Sequence, residues 1–114
     1  DNEARVLAAE ERLDEALAHA RRAVQLKPEQ PGAHYNLGQL LQARGPVAAA
    51  ISEYRTALRL RPAFVPARRA LGAALAGAGN LRDAIAEFRA ALAIDPQNPT
   101  AREYLDRAIR ARGR

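Results

Sequence analysis

The side chains of this 114-residue chain best suited to proton transfer or nucleophilic attack are His19, His34 and Ser52, the only residues of their kinds. Neither histidine belongs to a set of acidic or thiol ligands spaced to build a metal site on a helix. His34 is expected on a helix face that packs near a neighbouring hairpin. Ser52 lies inside a helical stretch with no strand-to-helix elbow around it. Cysteine is absent, which removes disulfides, thiolate metal sites and cysteine nucleophiles and leaves the redox compartment open. Gly77-Ala78-Gly79 follows no strand, so it reads as a hairpin turn and not a phosphate-binding loop. Glu10-Glu11 and Asp14-Glu15 surround a helix-helix turn and precede a helix, where negative charge is favoured, and Arg21-Arg22 sit late in a helix, where positive charge is. All are read as solvated faces. No catalytic residue, metal or cofactor is expected.

What remains is binding chemistry, carried by charge. The formal net charge is +5 and almost all of the positive side is arginine, since Lys27 is the only lysine. Such an excess favours acidic partners. Apolar residues make up 48% of the chain but aromatics only 4%, so Ala, Leu and Val must fill the interior, which favours closely packed helices over a sheet. No run approaches the roughly 20 apolar residues that span a bilayer. The chain is expected to be soluble, without a visible signal peptide. Having no Met, it reads as a segment of a longer protein. Cytoplasm and periplasm both remain open.

The elements that must position any binding residue follow from one period. Pro28, Pro62 and Pro96 stand 34 residues apart, and so do Ala16, Ala50 and Ala84, and Ala23, Ala57 and Ala91. Leu37-Gly38 and Leu71-Gly72, Leu41 and Leu75, and Gly45 and Gly79 keep that register, and Leu7 precedes Leu41 by the same interval. Each unit reads as two helices. Ala33, Leu37, Leu40 and Leu41 recur at helical spacing over 31–44, Gly45 ends that helix in a left-handed conformation, and Pro46 opens the next. Ala50, Ile51, Tyr54, Ala57 and Leu58 form one apolar stripe on the second helix, which Pro62 terminates. Residues 65–98 repeat the plan, with Asn80 as N-cap and Phe88 in place of Tyr54. Gly38 and Gly72 are expected to face Ala50 and Ala84 at the closest approach of each hairpin, and Ala57 and Ala91 to sit where the next unit docks. Only a thin core between neighbouring units is expected in a stack of this length.

The string Tyr35-Asn36-Leu37-Gly38 with Leu41, Gly45, Ala50, Tyr54, Ala57 and Pro62 resembles the signature of the tetratricopeptide repeat family. Residues 65–98 match it again through Leu71, Gly72, Leu75, Gly79, Ala84, Phe88, Ala91 and Pro96. The family's early Trp is His34 and Arg68 here. The resemblance implies an all-α, right-handed superhelix of helix-turn-helix hairpins, with about seven helices in a single domain over 1–114. A truncated first repeat would cover 1–30, its short first helix ending at a Glu11-Arg12 turn before a second helix from Leu13 to Leu26. The second repeat would cover 31–64 and the third 65–98. Residues 99–114 are either a capping helix or the start of a fourth repeat.

In this family the first helix of each repeat lines a concave groove. That phase places Arg5 at the truncated end, then Tyr35, Asn36, Gln39 and Gln42, then Arg69, Ala73 and Ala76, and finally Glu103, Arg107 and Arg110. Arginines with amide side chains suit an acidic peptide or a terminal carboxylate, because guanidinium can make two hydrogen bonds to one carboxylate. Some family members clamp acidic chaperone tails with Lys, Asn and Arg. Asn36 falls where the clamp has its central Asn, but Asp1, Arg5, Pro66 and Ala70 fall at its other positions, so chaperone-tail binding is not expected. The expected function is a non-catalytic scaffold holding a protein or peptide. The alternatives are self-association through apolar faces around Val6, Leu7 and Leu13, or the positioning of substrate within a larger enzyme. Nucleic acid is not expected as a partner, because the basic residues lack interleaved aromatics and form no stripe along one helix.

Overall fold

The computed structural model describes the backbone of residues 2–113 and the side chains of residues 9–113. It contains six helices: α1 (Asn2–Leu26), α2 (Pro31–Arg44), α3 (Val47–Leu60), α4 (Val65–Gly77), α5 (Leu81–Ile94) and α6 (Pro99–Arg112). Prolines stand in the first turn of α2, α4 and α6, where their missing N–H has no helical partner to lose. Gly45 and Gly79 close the turns inside the two hairpins at φ +132° and +88°, values that a residue with a Cβ rarely adopts. No strand occurs among the described residues.

One expected turn is missing. Six helices stand among the described residues, close to the seven or so expected, the difference being that α1 runs unbroken for 25 residues through Glu11-Arg12. That segment, Ala8-Ala9-Glu10-Glu11-Arg12-Leu13, consists of strong helix formers with no Gly or Pro, so nothing local interrupts the hydrogen-bond ladder. The first unit is therefore a single long helix laid against α2.

The hairpins α2–α3 and α4–α5 are held by a repeated knob. Tyr54 and Phe88 are fully buried at equivalent places in α3 and α5. A Cβ on Gly38 would lie 2.6 Å from Cε1 of Tyr54, and one on Gly72 would lie 2.5 Å from Cε1 of Phe88. The nearest neighbours of these glycines are thus the aromatic rings and not Ala50 and Ala84, which are fully buried elsewhere on the same helices. Ala57 and Ala91 are fully buried as expected. Ala23 is exposed instead, on the long helix that begins the stack.

Successive helices pack in chain order, α1 on α2, α3 on α4, and α5 on α6. In addition α2 touches α4 and α4 touches α6, whereas among the described residues α3 and α5 do not meet. The first helices of the hairpins therefore crowd together on the inner side of a curve while the second helices splay apart outside. The radius of gyration, 15.3 Å, exceeds the roughly 13 Å of a compact domain of similar length, as an open stack requires.

Candidate functional site

The inner face is built from α2, α4 and α6, and its three stretches differ in what they offer. On α2, Tyr35 and Gln42 are not free. The Tyr35 ring lies 6.0 Å from that of Tyr54 and 5.2 Å from that of Phe64, centre to centre. Its hydroxyl accepts a hydrogen bond of 2.9 Å from Gln39 Nε2. The Tyr54 hydroxyl donates 2.8 Å to Gln42 Oε1. Burial, with a smaller contribution from Tyr35, pushes the Tyr54 phenol up to about 12 from its ordinary 10.0, since the buried anion would lose its hydration. Tyr54 is therefore a neutral donor throughout the physiological range.

Asn36 and Gln39 are exposed and line a recess of about 440 Å³ between α1 and α2, shared with His19, Ala23 and Leu40. A second recess, of about 370 Å³, opens between α4 and α6. Ala73, Ala76 and Gly77 form one wall, Tyr104 and Arg107 the other, and Phe88 lies beneath. The Tyr104 ring packs 5.7 Å from that of Phe88. Arg107 donates 2.7 Å to Glu103 one turn earlier, and both side chains are well exposed. Arg110 lies with Arg107, Arg102, Glu103 and Asp106 around a further shallow recess along α6. Arg69 is half-buried on α4 and has no carboxylate partner among the described residues.

The expected groove residues thus separate into groups. Asn36 and Gln39 share the first recess, and Ala73, Ala76 and Arg107 share the second. Tyr35 and Gln42 serve to pack Tyr54, and Arg110 is exposed one turn beyond the recess, beside Arg107. Arg5 lies outside the described side chains, as do Val6 and Leu7 of the proposed self-association face, while Leu13 packs against the core. Tyr104 was not anticipated. Its register gives it away, because 36, 70 and 104 are equivalent positions 34 residues apart and the first of them already pointed to the groove.

His34 is buried and bridges the base of its hairpin, with Nδ1 2.9 Å from Glu53 Oε1 and Nε2 2.7 Å from the Pro28 carbonyl. Both partners are acceptors, so the ring meets both as a donor only when each nitrogen carries hydrogen. Arg68 makes the equivalent pair of contacts one repeat later, donating 3.2 Å from Nε to the Pro62 carbonyl and 3.1 Å from Nη1 to Glu87 Oε2. These four side chains brace the bases of the two hairpins.

Two family models match the sequence, one described as tetratricopeptide repeat over residues 35–99 and one described as TPR repeat over residues 4–45. The chain belongs to the tetratricopeptide repeat family. Among solved structures, the repeat domain is similar to the first TPR of Spaghetti (RPAP3) bound to an HSP90 peptide, SRMEEVD. That likeness has a TM-score of 0.88 at 20% identity and covers 99% of this chain and 90% of that one. It is also similar to the TPR domain of Arabidopsis OM64, with a TM-score of 0.84 at 20% identity, covering 94% and 88% of the two chains. The second TPR domain of human RPAP3, solved with the HSP70 peptide SGPTIEEVD, gives 0.80 at 18% identity over 94% and 89%. At these identities the likeness is one of fold. No curated protein matches the sequence.

Proposed function

We propose that this repeat domain is a non-catalytic scaffold that holds an extended, acidic segment of another protein along the inner face formed by α2, α4 and α6. One observation carries the reading: the helices that line this face bring two open recesses to it, with exposed amides at one and arginine at the other. Recesses of about 300–1,000 Å³ are the usual size for ligand sites, and a row of them suits a chain better than a compact molecule. The net charge of +5 selects for acid. The two RPAP3 domains were solved with peptides ending in EEVD, which supports a peptide as the kind of occupant. Chaperone tails are not proposed, because Asp1, Pro66 and Ala70 stand where a carboxylate clamp carries its polar and basic residues.

The test is a peptide array of acidic and basic dodecapeptides probed with the wild-type chain and with an Arg69→Glu, Arg107→Glu double variant. Acidic peptides should be retained by the wild type and lost by the variant, with losses of about tenfold or more. Unchanged retention of the acidic set by the variant would break the assignment of the face.

A further inference from the structure

We infer that the recess between α4 and α6 is a specificity pocket that takes one aliphatic or aromatic side chain of the bound peptide, from a residue next to a carboxylate that pairs with Arg107. The inference rests on the scaffold reading and adds what the peptide must contain. It comes from comparing equivalent positions of the two hairpins. On α2 the inner positions are Tyr35, Gln39 and Gln42, and two of them cover Tyr54, one by ring contact and one by hydrogen bond. Thirty-four residues on, α4 has Arg69, Ala73 and Ala76 at the same positions. Alanine does not reach the helix opposite, so a space of about 370 Å³ stays open above Phe88, whose ring is covered by Tyr104 from α6 and remains fully buried. The protein's own side chains fill this place in one repeat and leave it open in the next.

The chemistry of the walls decides what fits. Ala73, Ala76 and Gly77 offer no donor or acceptor from their side chains, and Tyr104 presents an aromatic surface packed against Phe88. An occupant must therefore be apolar where it enters, and the space suits one bulky side chain with the backbone that carries it. At the rim stands Arg107, whose partner Glu103 lies on the same exposed turn. A pair so exposed contributes little to stability, so an incoming carboxylate can take over the guanidinium at small cost. Arg69, across the inner face on α4, has no carboxylate partner among the described residues. Positive charge at the mouth and apolar surface beneath call for an apolar residue flanked by Asp or Glu.

The experiment uses the full chain and two fluorescein-labelled decapeptide libraries of Asp, Glu, Ser and Gly, one with a central Leu or Phe and the other with Ala in that place. Fluorescence polarisation should show the Leu or Phe library binding about tenfold tighter, the difference expected from burying one large side chain. Ala76→Gln installs the residue found at position 42, and it should abolish the preference while leaving the weaker Ala-library binding in place. Circular dichroism checks that this variant keeps its helices, and Ala73→Leu fills the same space by a second route. Equal binding of both libraries overturns the pocket, and so does a preference that survives both fillings. Either result leaves the scaffold reading standing if Arg69→Glu, Arg107→Glu still releases the peptides. Failure of both libraries to bind the wild type overturns the scaffold reading together with the pocket.

Discussion

The hairpins α2–α3 and α4–α5 are the same construction executed with different side chains. Each uses a glycine to admit an aromatic ring, and each ties its base with one residue that reaches a proline carbonyl and a glutamate. Within that frame the earlier hairpin is polar. It has Tyr54 bonded to Gln42, and a histidine as its tie. The later one has Phe88, an arginine tie and an inner face of Arg69, Ala73 and Ala76. Stability and recognition are thereby carried by different positions. The glycine, ring and tie keep their geometry across repeats, while the inner positions change freely and set what the groove can hold.

The largest expected effect comes from the feature that both hairpins share. Gly72→Leu would place side-chain atoms inside the Phe88 ring, which has no room to retreat from a fully buried position. A loss of about 3 kcal/mol or more is expected from such overpacking, read as a lowered urea midpoint by circular dichroism. Gly38→Leu should cost at least as much, because Tyr54 is additionally held by Gln42. A mild effect at either site would show that the ring contact does not set the helix spacing.

The ties separate the hairpins by burial. His34→Ala removes a buried ring that joins the Glu53 carboxylate to the Pro28 carbonyl, and a cost of about 2 kcal/mol is expected. Arg68 and Glu87 are about a quarter exposed, so water can replace the lost donor and Arg68→Ala should cost about 1 kcal/mol. His34→Arg copies the later hairpin into the earlier one and should restore most of the stability lost in His34→Ala. Equal losses for the two alanine variants would show that the ties are interchangeable in energy as well as in geometry.

Tyr54 and Phe88 differ by one hydroxyl, and alkaline pH exposes the difference. Because burial raises the folded-state value of Tyr54 to about 12 from 10.0, its contribution is complete below pH 10 and is lost as pH climbs from 10 towards 12. Tyr54→Phe should cost about 1 kcal/mol at neutral pH, through the missing bond to Gln42, and should remove the part of alkaline unfolding that this phenol causes. Thermal melts of both forms between pH 7 and 11 provide the check. An identical pH dependence in wild type and variant would refute the role of the buried phenol.

Most of the architecture was legible in the sequence because close helix packing demands small residues at fixed places. Gly38 and Gly72, Ala57 and Ala91, and the prolines after each pair therefore print the period directly. The repeat register predicts a turn in the first unit, in a segment that holds no breaker. At Glu11-Arg12 the absence of Gly and Pro weighed more than the analogy, and α1 stayed whole. The candidate groove was legible only as a set of positions. Ala73 and Ala76 look alike whether a neighbour fills the space above them or not, and only the placement of Tyr104 and Phe88 shows that it is open. The partner of each hairpin glycine was also beyond reach, since spacing along α3 gives Ala50 and Tyr54 the same face and only the rotation of the helix chooses between them.

The smallest difference between the hairpins lies in their inner turns. Asn80 caps α5, its Oδ1 accepting from the Asp83 amide at 3.3 Å while its Nδ2 donates 2.8 Å to the Asp83 carboxylate. At the equivalent turn α3 starts after Pro46, which offers no side-chain cap and relies on the fixed φ of proline to restrict the unfolded chain. The cap bond is long and exposed, so Asn80→Ala should cost only about 0.5 kcal/mol, at the low end for a lost N-cap. Hydrogen exchange localises the effect better than a global melt. The first amides of α5 should exchange faster in the variant while those of α3 keep their rates, because neighbouring repeats couple only through their shared interface. Faster exchange spread equally over both hairpins would mean that the two turns open as one unit, and the independence of the two repeats would then fail at its weakest joint.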